Sequence, residues 1–143
     1  MRSGLWLATG LWCVAAMAAF SNISAADKGD LKEFLGTWRG SSTCVNRQIA
    51  PACNDEVVVY EVRRGEKSAT AVLKADKIVD GQRVPMGELE FIYASKEACW
   101  RSEFRTPRVH AAWCLDVAGH TMTGSLRDIP TGAEIRTVHA TRE

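Results

Sequence analysis

The sequence predicts an all-β protein: an eight-stranded antiparallel up-and-down meander, closed into a barrel, with a short N-terminal helical turn. Eight short segments rich in β-branched or aromatic residues are separated by tight turns, and several of them alternate apolar and polar positions. After residue 26 no segment has the length and apolar period of a long helix. We expect a closed meander because closure removes the exposed edges of the sheet.

The first 26 residues have the pattern of a secretory signal peptide. Arg2 precedes an uncharged, mostly apolar run over residues 5–20, and small residues at positions 24–26 offer a cleavage site before residue 27 or one residue earlier. The run is shorter than the roughly 20 apolar residues that a membrane span needs, so we expect a cleaved signal and not an anchor. Residues 27–143 then form a single domain that is periplasmic or secreted.

Charge and motifs exclude several classes of function. Of 18 basic and 17 acidic residues only Arg2 lies in the signal peptide, and the near-neutral remainder argues against nucleic-acid binding. Hydrolase, metalloprotease and phosphate-loop motifs are absent from the sequence, and its three histidines, His110, His120 and His139, are scattered. We therefore expect no enzymatic activity, no cofactor and no metal site.

The four cysteines of the domain are expected to form two disulfides, because an even number in a small exported domain is typical of a disulfide framework. They are Cys44, Cys53, Cys99 and Cys114, and three pairings are open from the count alone. Residues 99–114 have the pattern of one β-hairpin with a cysteine at each end. This hairpin favours a Cys99–Cys114 bond, which leaves Cys44 for Cys53.

The pattern of this hairpin sets a register. Cys99 is expected opposite Cys114, with residues 105–108 as a four-residue loop. Side chains alternate between the faces of a strand, so the charged face places Glu103 opposite His110, where a surface ion pair is expected. The other face is apolar and turns to the core; it carries Trp100, Phe104, Val109, Ala111, Trp113 and Leu115.

Local signals place the remaining elements. Asp30 is a helix N-cap with Glu33 three residues later, so residues 30–34 are expected to form one helical turn. The strands are expected at residues 36–44, 56–62, 68–79, 87–94, 99–104, 109–117, 122–127 and 133–142.

Turn residues and one irregularity refine this outline. Asp80 and Gly81 favour a tight hairpin turn between the third and fourth strands, although Pro85 limits pairing just after it. In the eighth strand Ile135 and Val138 fall on opposite faces, so a β-bulge is expected there.

An N-terminal helical turn followed by Gly36-Thr37-Trp38 and an eight-strand meander resembles the calycin group, in particular lipocalin-like small exported β-barrel proteins. The resemblance implies that Trp38 plugs the closed end of the barrel beside an arginine of the last strand, either Arg136 or Arg142. Bacterial periplasmic metalloprotease inhibitors are similar as well, being small disulfide-bonded barrels with a tryptophan on the first strand.

Aromatic residues are expected inside the barrel. Placing Tyr93 opposite Trp100 puts Leu89 opposite Phe104, and these residues and Phe91 then point inward. An eight-stranded barrel of this kind is either filled by its side chains or holds one small ligand. We therefore take Phe91, Tyr93 and Trp100 as candidate ligand contacts.

Arginines gather in the loops of one end. Alternate loops of an up-and-down barrel emerge together, which places Arg47, Arg105 and Arg108 near one mouth. Guanidinium groups there suit a carboxylate or phosphate. The leading hypothesis is a non-enzymatic binding protein for a small amphipathic or anionic ligand, which enters at a mouth formed by residues 45–52 and 105–108.

Two alternatives stay open. The first is a protein-binding module, for instance an inhibitor of an exported hydrolase, working through its loops or residues 27–34. The second is a filled barrel with a structural or envelope-stress role. An enclosed apolar cavity of roughly 300 Å³ or more would favour ligand binding, whereas a projecting segment or an exposed apolar patch would favour a protein partner.

Overall fold

The computed structural model of the protein describes residues 29–143, so the signal peptide predicted over residues 1–26 lies outside the described residues. The helix α1 (Leu31–Phe34) precedes the strands β1 (Gly36–Cys44), β2 (Glu56–Arg64), β3 (Thr70–Val79), β4 (Gln82–Ala94), β5 (Cys99–Arg105), β6 (His110–Ala118), β7 (Thr121–Asp128) and β8 (Glu134–Arg142). Each strand pairs antiparallel with the next, and β8 pairs with β1. The predicted fold class, a closed eight-stranded up-and-down barrel, is confirmed.

The two ends of the barrel are covered differently. At the helix end, α1 leads into β1; at the far end, the chain forms the loops of residues 45–55, 80–81, 106–109 and 129–133. Ile49 and Ala50 of the first loop pack on a small cluster of buried apolar residues at the far end. The larger core cluster fills the barrel from its middle to the helix end.

Helix α1 closes the helix end with an aromatic plug. Asp30 caps the helix, and its carboxylate accepts a hydrogen bond of 2.9 Å from the Lys32 amide. Phe34 is fully buried and stacks on Trp100, with 4.7 Å between the ring centres. The indole of Trp38 donates a hydrogen bond of 3.0 Å to the Phe34 carbonyl, which joins the helix to the first strand.

Arg142 is the arginine of the last strand that packs on Trp38. Its guanidinium carbon lies 4.2 Å from the centre of the Trp38 ring. The same group donates hydrogen bonds of 2.5 Å to the Leu35 carbonyl and 2.6 Å to the Glu33 carbonyl, which are left free at the end of α1. Arg136 lies six residues earlier on β8, at the far end, so the structure decides between the two candidates.

Gly36 is required by this packing. It has a φ of +124°, a conformation that favours glycine, and a Cβ added there would lie 2.7 Å from Arg142 Nη1. The Gly36-Thr37-Trp38 motif thus serves the plug, and the closed meander is consistent with a calycin-like fold.

Both predicted disulfides are present, but the predicted register of the β5–β6 hairpin is wrong by two residues. The Cα atoms are 6.0 Å apart in Cys44–Cys53 and 5.5 Å apart in Cys99–Cys114. Cys114 lies opposite Arg101 and not opposite Cys99, so the second bond runs diagonally across the hairpin. A shift of two residues keeps every side chain on its face, because side chains alternate with a period of two.

On the charged face of this hairpin His110 and Glu103 are in contact as expected, but in a diagonal arrangement. His110 lies opposite Arg105, and Glu103 lies opposite Ala112. The His110 Nε2 atom is nevertheless 2.6 Å from a Glu103 carboxylate oxygen, and Arg101 donates a hydrogen bond of 2.8 Å to the other oxygen.

Two strands are irregular. The pairing of β7 with β8 shifts next to Ile135, and Ile135 and Val138 are both buried, which confirms the predicted bulge in the eighth strand. Strand β4 begins at Gln82, earlier than predicted, because it follows the tight turn at Asp80 and Gly81 directly. Within residues 29–143, no helix is long and apolar enough to cross a membrane.

Candidate functional site

An interior cavity of about 250 Å³ lies between the two apolar clusters of the barrel. This volume is below the roughly 300 Å³ expected of a ligand binder and below the range of about 300–1,000 Å³ that is usual for small-molecule pockets, so any ligand would be small. Its apolar walls come from inward positions of β3 to β6: Leu73, Ala75, Leu89, Phe91, Phe104, Trp113 and Leu115. The barrel is therefore not completely filled by its own side chains.

The cavity reaches the surface beside a seam in the barrel wall. Within the described chain, strand pairing between β4 and β5 is limited to Ile92–Arg101, Tyr93–Trp100 and Ala94–Cys99. Beyond Ile92, towards the far end, the two strands part. The predicted Leu89–Phe104 pair is accordingly wrong, and both side chains instead line the cavity.

Strand β4 also has a bulge, which lies at the far end of the seam. Ala75 pairs with Gly87 and Asp76 with Pro85, which leaves Met86 as the extra residue of β4. Gly87 has a φ of +137°, which a residue with a side chain rarely adopts. The extra residue, Met86, lies at the opening of the cavity, where it is 42% exposed.

Polar groups line the wall across from the seam. Strands β8, β1 and β2 lie opposite the β4–β5 junction in the strand order of the barrel. They contribute Ser42, Glu56, Tyr60 and Arg136 to the cavity. The cavity thus has apolar walls near its opening and a polar end across the barrel.

Arg136 is the cation of this polar end. Its side chain is only 16% exposed, and one Nη atom lies 3.4 Å from a Glu56 carboxylate oxygen. The same nitrogen donates hydrogen bonds to the carbonyls of Ser42 and Asn54. The Nε atom is buried and has no hydrogen-bond partner among the described residues. A buried N–H donor without a partner is unfavourable, so this atom would gain from an acceptor.

Tyr60 adds a neutral hydroxyl to the polar end. Burial disfavours the phenolate and raises the pKa of Tyr60 to about 12, although a hydrogen bond with Ser42 and the charge of Arg136 oppose this shift. The phenol consequently keeps its proton at neutral pH. It can donate or accept a hydrogen bond there.

Two carboxylates complete the charges at the cavity. Glu56 is 15% exposed; one of its oxygens faces Arg136, and the other lies 3.6 Å from Lys77 Nζ. Glu88 lies near the seam, and its carboxylate forms a 2.9 Å ion pair with Arg63.

The arginines predicted to form the mouth do not line this cavity among the described residues. Arg47 donates a hydrogen bond of 2.9 Å to the Cys53 carbonyl within its own loop. Arg105 lies 2.9 Å from His110 Nδ1 on the outer face, and Arg108 is exposed in the loop of residues 106–109. The cation at the cavity is instead Arg136, which the sequence analysis considered only as a possible partner of Trp38.

The three candidate aromatic contacts have separate positions. Phe91 lines the cavity. Trp100 is stacked on Phe34 in the plug, and Tyr93 packs edge-on against Trp100 with 5.5 Å between ring centres. Trp100 and Tyr93 therefore lie at the helix end, and neither is among the described residues that line the cavity.

Sequence reasoning missed Glu56, Tyr60 and Ser42. A usable signal was present, because alternation along β2 places Glu56 on the same face as Val58 and Tyr60, which are buried. A charged residue at an inward position needs a partner of opposite charge, which Arg136 of β8 supplies from across β1.

A second, open depression of about 670 Å³ lies on the outer face of β5, β6 and β7. The Cys99–Cys114 disulfide forms part of its floor, and its rim carries charges of both signs. The interior cavity is the better candidate although it is smaller, because apolar side chains surround it on several sides.

Comparison with protein-family models and with curated proteins finds no match to this chain. What the structure establishes is the class of fold, a disulfide-bonded, closed eight-stranded β-barrel of calycin-like topology. Two disulfides in a small domain are typical of an oxidising, extracytoplasmic environment.

Proposed function

We propose that the protein is a lipocalin-like binding protein of the periplasm or the secreted fraction, without enzymatic activity, that holds one small and largely apolar molecule with a polar end. The observation that carries this proposal is the interior cavity, with apolar walls on one side and the Arg136 group on the other. The predicted signal peptide and the two disulfides support the location.

The geometry suggests how such a ligand would enter. The seam between β4 and β5 leads into the apolar part of the cavity, and the polar end lies across the barrel. A ligand passing the seam with its polar end first would bring that end to Arg136 and Tyr60. Its apolar part would then contact Phe91, Phe104 and Leu89.

Native mass spectrometry of the protein purified from its own host compartment tests the proposal. The expected result is a bound small-molecule mass that disappears on denaturation.

A Leu89→Trp variant should lose this mass, because the larger side chain fills the cavity. The matched control is Ile92→Trp, which places the same side chain on the exposed outer face of β4 and should keep the mass. Thermal unfolding confirms that both variants fold. A wild-type protein that carries no small molecule, or a Leu89→Trp variant that still carries one, contradicts the proposal.

A protein-binding role is the second candidate, favoured by exposed apolar residues on the tip of the β3–β4 hairpin. Val79, Val84 and Met86 are 43%, 37% and 42% exposed near the far end. The N-terminal segment is less suited to this role, since Phe34 is fully buried in the plug. The same mass spectra discriminate between the two candidate functions. A bound protein in place of a bound small molecule would favour an inhibitor-like function, and a Val84→Asp variant should then lose the bound protein.

A further inference from the structure

Met86 presents an exposed thioether on the surface of the barrel. The sequence has four methionines, and Met86 and Met122 are the two that fall within residues 29–143. Met86 is 42% exposed, whereas Met122 is fully buried in the larger core cluster. The four cysteines in this part of the chain are bound in disulfides, so they offer no free thiol. Within the described residues, Met86 is therefore the sulfur-containing side chain most open to an oxidant.

The same side chain is part of the cavity wall. Met86 lies at the opening of the cavity and shares its lining with the apolar side chains of Leu89, Phe91 and Phe104. As the extra residue of the β4 bulge, it has no pairing partner on β3. A chemical change at Met86 can thus alter the cavity without breaking a pair of strand residues.

The reaction expected at this sulfur is oxygen transfer from a peroxide. The lone pair of the thioether attacks one oxygen of hydrogen peroxide, the O–O bond breaks, and the transferred oxygen stays on sulfur as a sulfoxide. The proton of the transferred oxygen passes to the departing hydroxide, which leaves as water. Methionine is oxidised and the peroxide is reduced. An apolar side chain becomes a polar one.

A sulfoxide at this position weakens the apolar wall in either of two orientations. If the sulfoxide oxygen points into the cavity, it faces the apolar part of the ligand without a hydrogen-bond partner, which is unfavourable. If the oxygen turns towards water, the side chain leaves the wall and the ligand loses an apolar contact. Both orientations lower the affinity for a largely apolar ligand.

We infer that Met86 is an oxidation site for peroxides, and that its sulfoxide lowers the affinity of the cavity for the ligand. This inference rests on the proposed function and adds a means of regulation to the same site. The barrel holds its ligand while Met86 is a thioether and releases it after oxidation.

Peptide mass mapping after treatment with hydrogen peroxide tests the site of oxidation. The sample is the wild-type protein purified from its own host compartment and refolded to remove bound small molecules. We expect the peptide with Met86 to gain one oxygen atom, while the peptide with Met122 stays unmodified as long as the protein is folded. Thermal unfolding shows whether the treated protein keeps its fold. Oxidation of Met122 at the same rate as Met86 would contradict the inference.

Calorimetric titration with heptanol tests the effect on binding. Heptanol is a suitable probe because it has a short apolar chain with one polar end, as the proposed ligand does. We expect the peroxide-treated wild-type protein to bind heptanol about tenfold more weakly than the untreated protein, since the wall then carries a polar oxygen or lacks a side chain.

Two variants connect the effect to this position. Met86→Leu has no thioether at the opening, so peroxide should leave its heptanol affinity within about twofold of that of the same variant before treatment. The matched control adds Ile92→Met to Met86→Leu. It places a thioether on the outer face of the same strand, at a position that is 54% exposed and outside the described lining. This double variant should gain one oxygen atom on treatment and keep its affinity.

The outcomes separate the inference from the proposed function. If heptanol binds the treated and untreated wild-type protein equally, or if the double variant loses affinity on treatment as the wild type does, the inference about Met86 is wrong and the binding function stands. If heptanol does not bind the untreated wild-type protein, the proposed function fails and the inference fails with it.

Discussion

At the scale of single residues, Arg142 stabilises the fold through contacts with both Trp38 and the end of α1. Its guanidinium covers the Trp38 ring and donates hydrogen bonds to two carbonyls at the end of α1. These carbonyls would otherwise be unpaired at a helix end. One side chain therefore connects the last strand, the first strand and the plug.

Replacing this residue should be costly. An Arg142→Leu variant is expected to lower the free energy of unfolding by about 3 kcal/mol, because it loses charge-assisted hydrogen bonds and a cation–π contact. Urea denaturation measures this loss. The control is Arg39→Leu, which removes a side chain that is 51% exposed and lies 4.0 Å from Glu143; we expect a change below about 0.5 kcal/mol. Equal losses in the two variants would contradict this role of Arg142.

Glu103 should make stability depend on pH. The hydrogen bond with His110, and after it the hydrogen bond and charge of Arg101, hold the pKa of Glu103 below its usual 4.5. A carboxyl group whose pKa is lower in the folded state stabilises the fold above its unfolded pKa, and this contribution is lost as the pH falls through the lowered pKa.

A Glu103→Gln variant tests this dependence. It should be less stable than the wild type at neutral pH, and the difference should shrink as the pH falls from 4.5 through the lowered pKa. Thermal unfolding across this range measures the effect. A difference that stays constant down to acid pH would show that Glu103 acts through packing and not through its charge.

The sequence could assign residues to faces more readily than to partners. Arg136 and Arg142 both lie at inward positions of β8, so alternation alone could not select the one that packs on Trp38. The selection comes from the free carbonyls of α1, which reach only Arg142. Arg136 instead meets Glu56, a contact between distant strands that no local pattern reveals.

At the scale of elements, the seam between β4 and β5 is the feature that departs most from a regular barrel. Every other neighbouring pair of strands is joined along most of its length, whereas β4 and β5 share three residue pairs. The stretch of β4 that does not pair with β5 runs from Gln82 to Phe91 and includes the bulge at Met86. The far half of β4 is thereby left with one paired edge.

Hydrogen exchange should detect this edge. Along β4 from Gln82 to Phe91, successive amides point alternately to β3 and to β5, so about every second amide should exchange quickly. The amides of β6, which pairs on both sides, should be protected throughout. Amide exchange followed by NMR measures both strands. Uniform protection along β4 would mean that the seam is closed in solution.

The hairpin of β5 and β6 shows why register is harder to predict than strand order. Its loop, its faces and its disulfide were all compatible with Cys99 directly opposite Cys114. The true register differs by two residues, which moves no side chain to the other face. A disulfide spans a direct or a diagonal pair when the Cα atoms lie within reach, here 5.5 Å, so the bond could not discriminate either.

At the scale of the whole molecule, two disulfides reinforce a small domain. One closes the loop of the far end, with a sequence separation of 9, and the other crosses the β5–β6 hairpin, with a separation of 15. Loop-closure entropy depends only weakly on loop length, so the two bonds should contribute similarly.

Removing each bond by a pair of Cys→Ala substitutions tests this expectation. Replacing both Cys44 and Cys53 should lower the free energy of unfolding by about 2–4 kcal/mol, and replacing both Cys99 and Cys114 should lower it by a similar amount. Urea denaturation of the two double variants gives the values. If only one of the two double variants is less stable than the wild type, native packing and not the constraint on the unfolded chain determines how much each disulfide stabilises the protein.

The fold class could be predicted because it depends on patterns that every strand repeats, namely short alternating segments and tight turns. The cavity could not be predicted, since its volume depends on how the side chains of seven strands fill the interior and on one bulge. The bulge residue Met86 lies in a segment that Pro85 made unattractive as a strand. The segment belongs to β4 nonetheless.

The plug joins parts of the chain that are far apart in sequence, and this bears on how fast the protein folds. The hydrogen bond from Arg142 to the Leu35 carbonyl spans 107 positions, and β8 must find β1 before it forms. Contacts of such long range lower the folding rate, because a large loop must close before they contribute any stability. Closure of the barrel is thus expected to come late, and until it does the free edge of β1 is open to other chains. A chaperone that binds this edge would act on the barrel before closure. Once β8 has paired with β1, the edge is no longer exposed for the chaperone to bind.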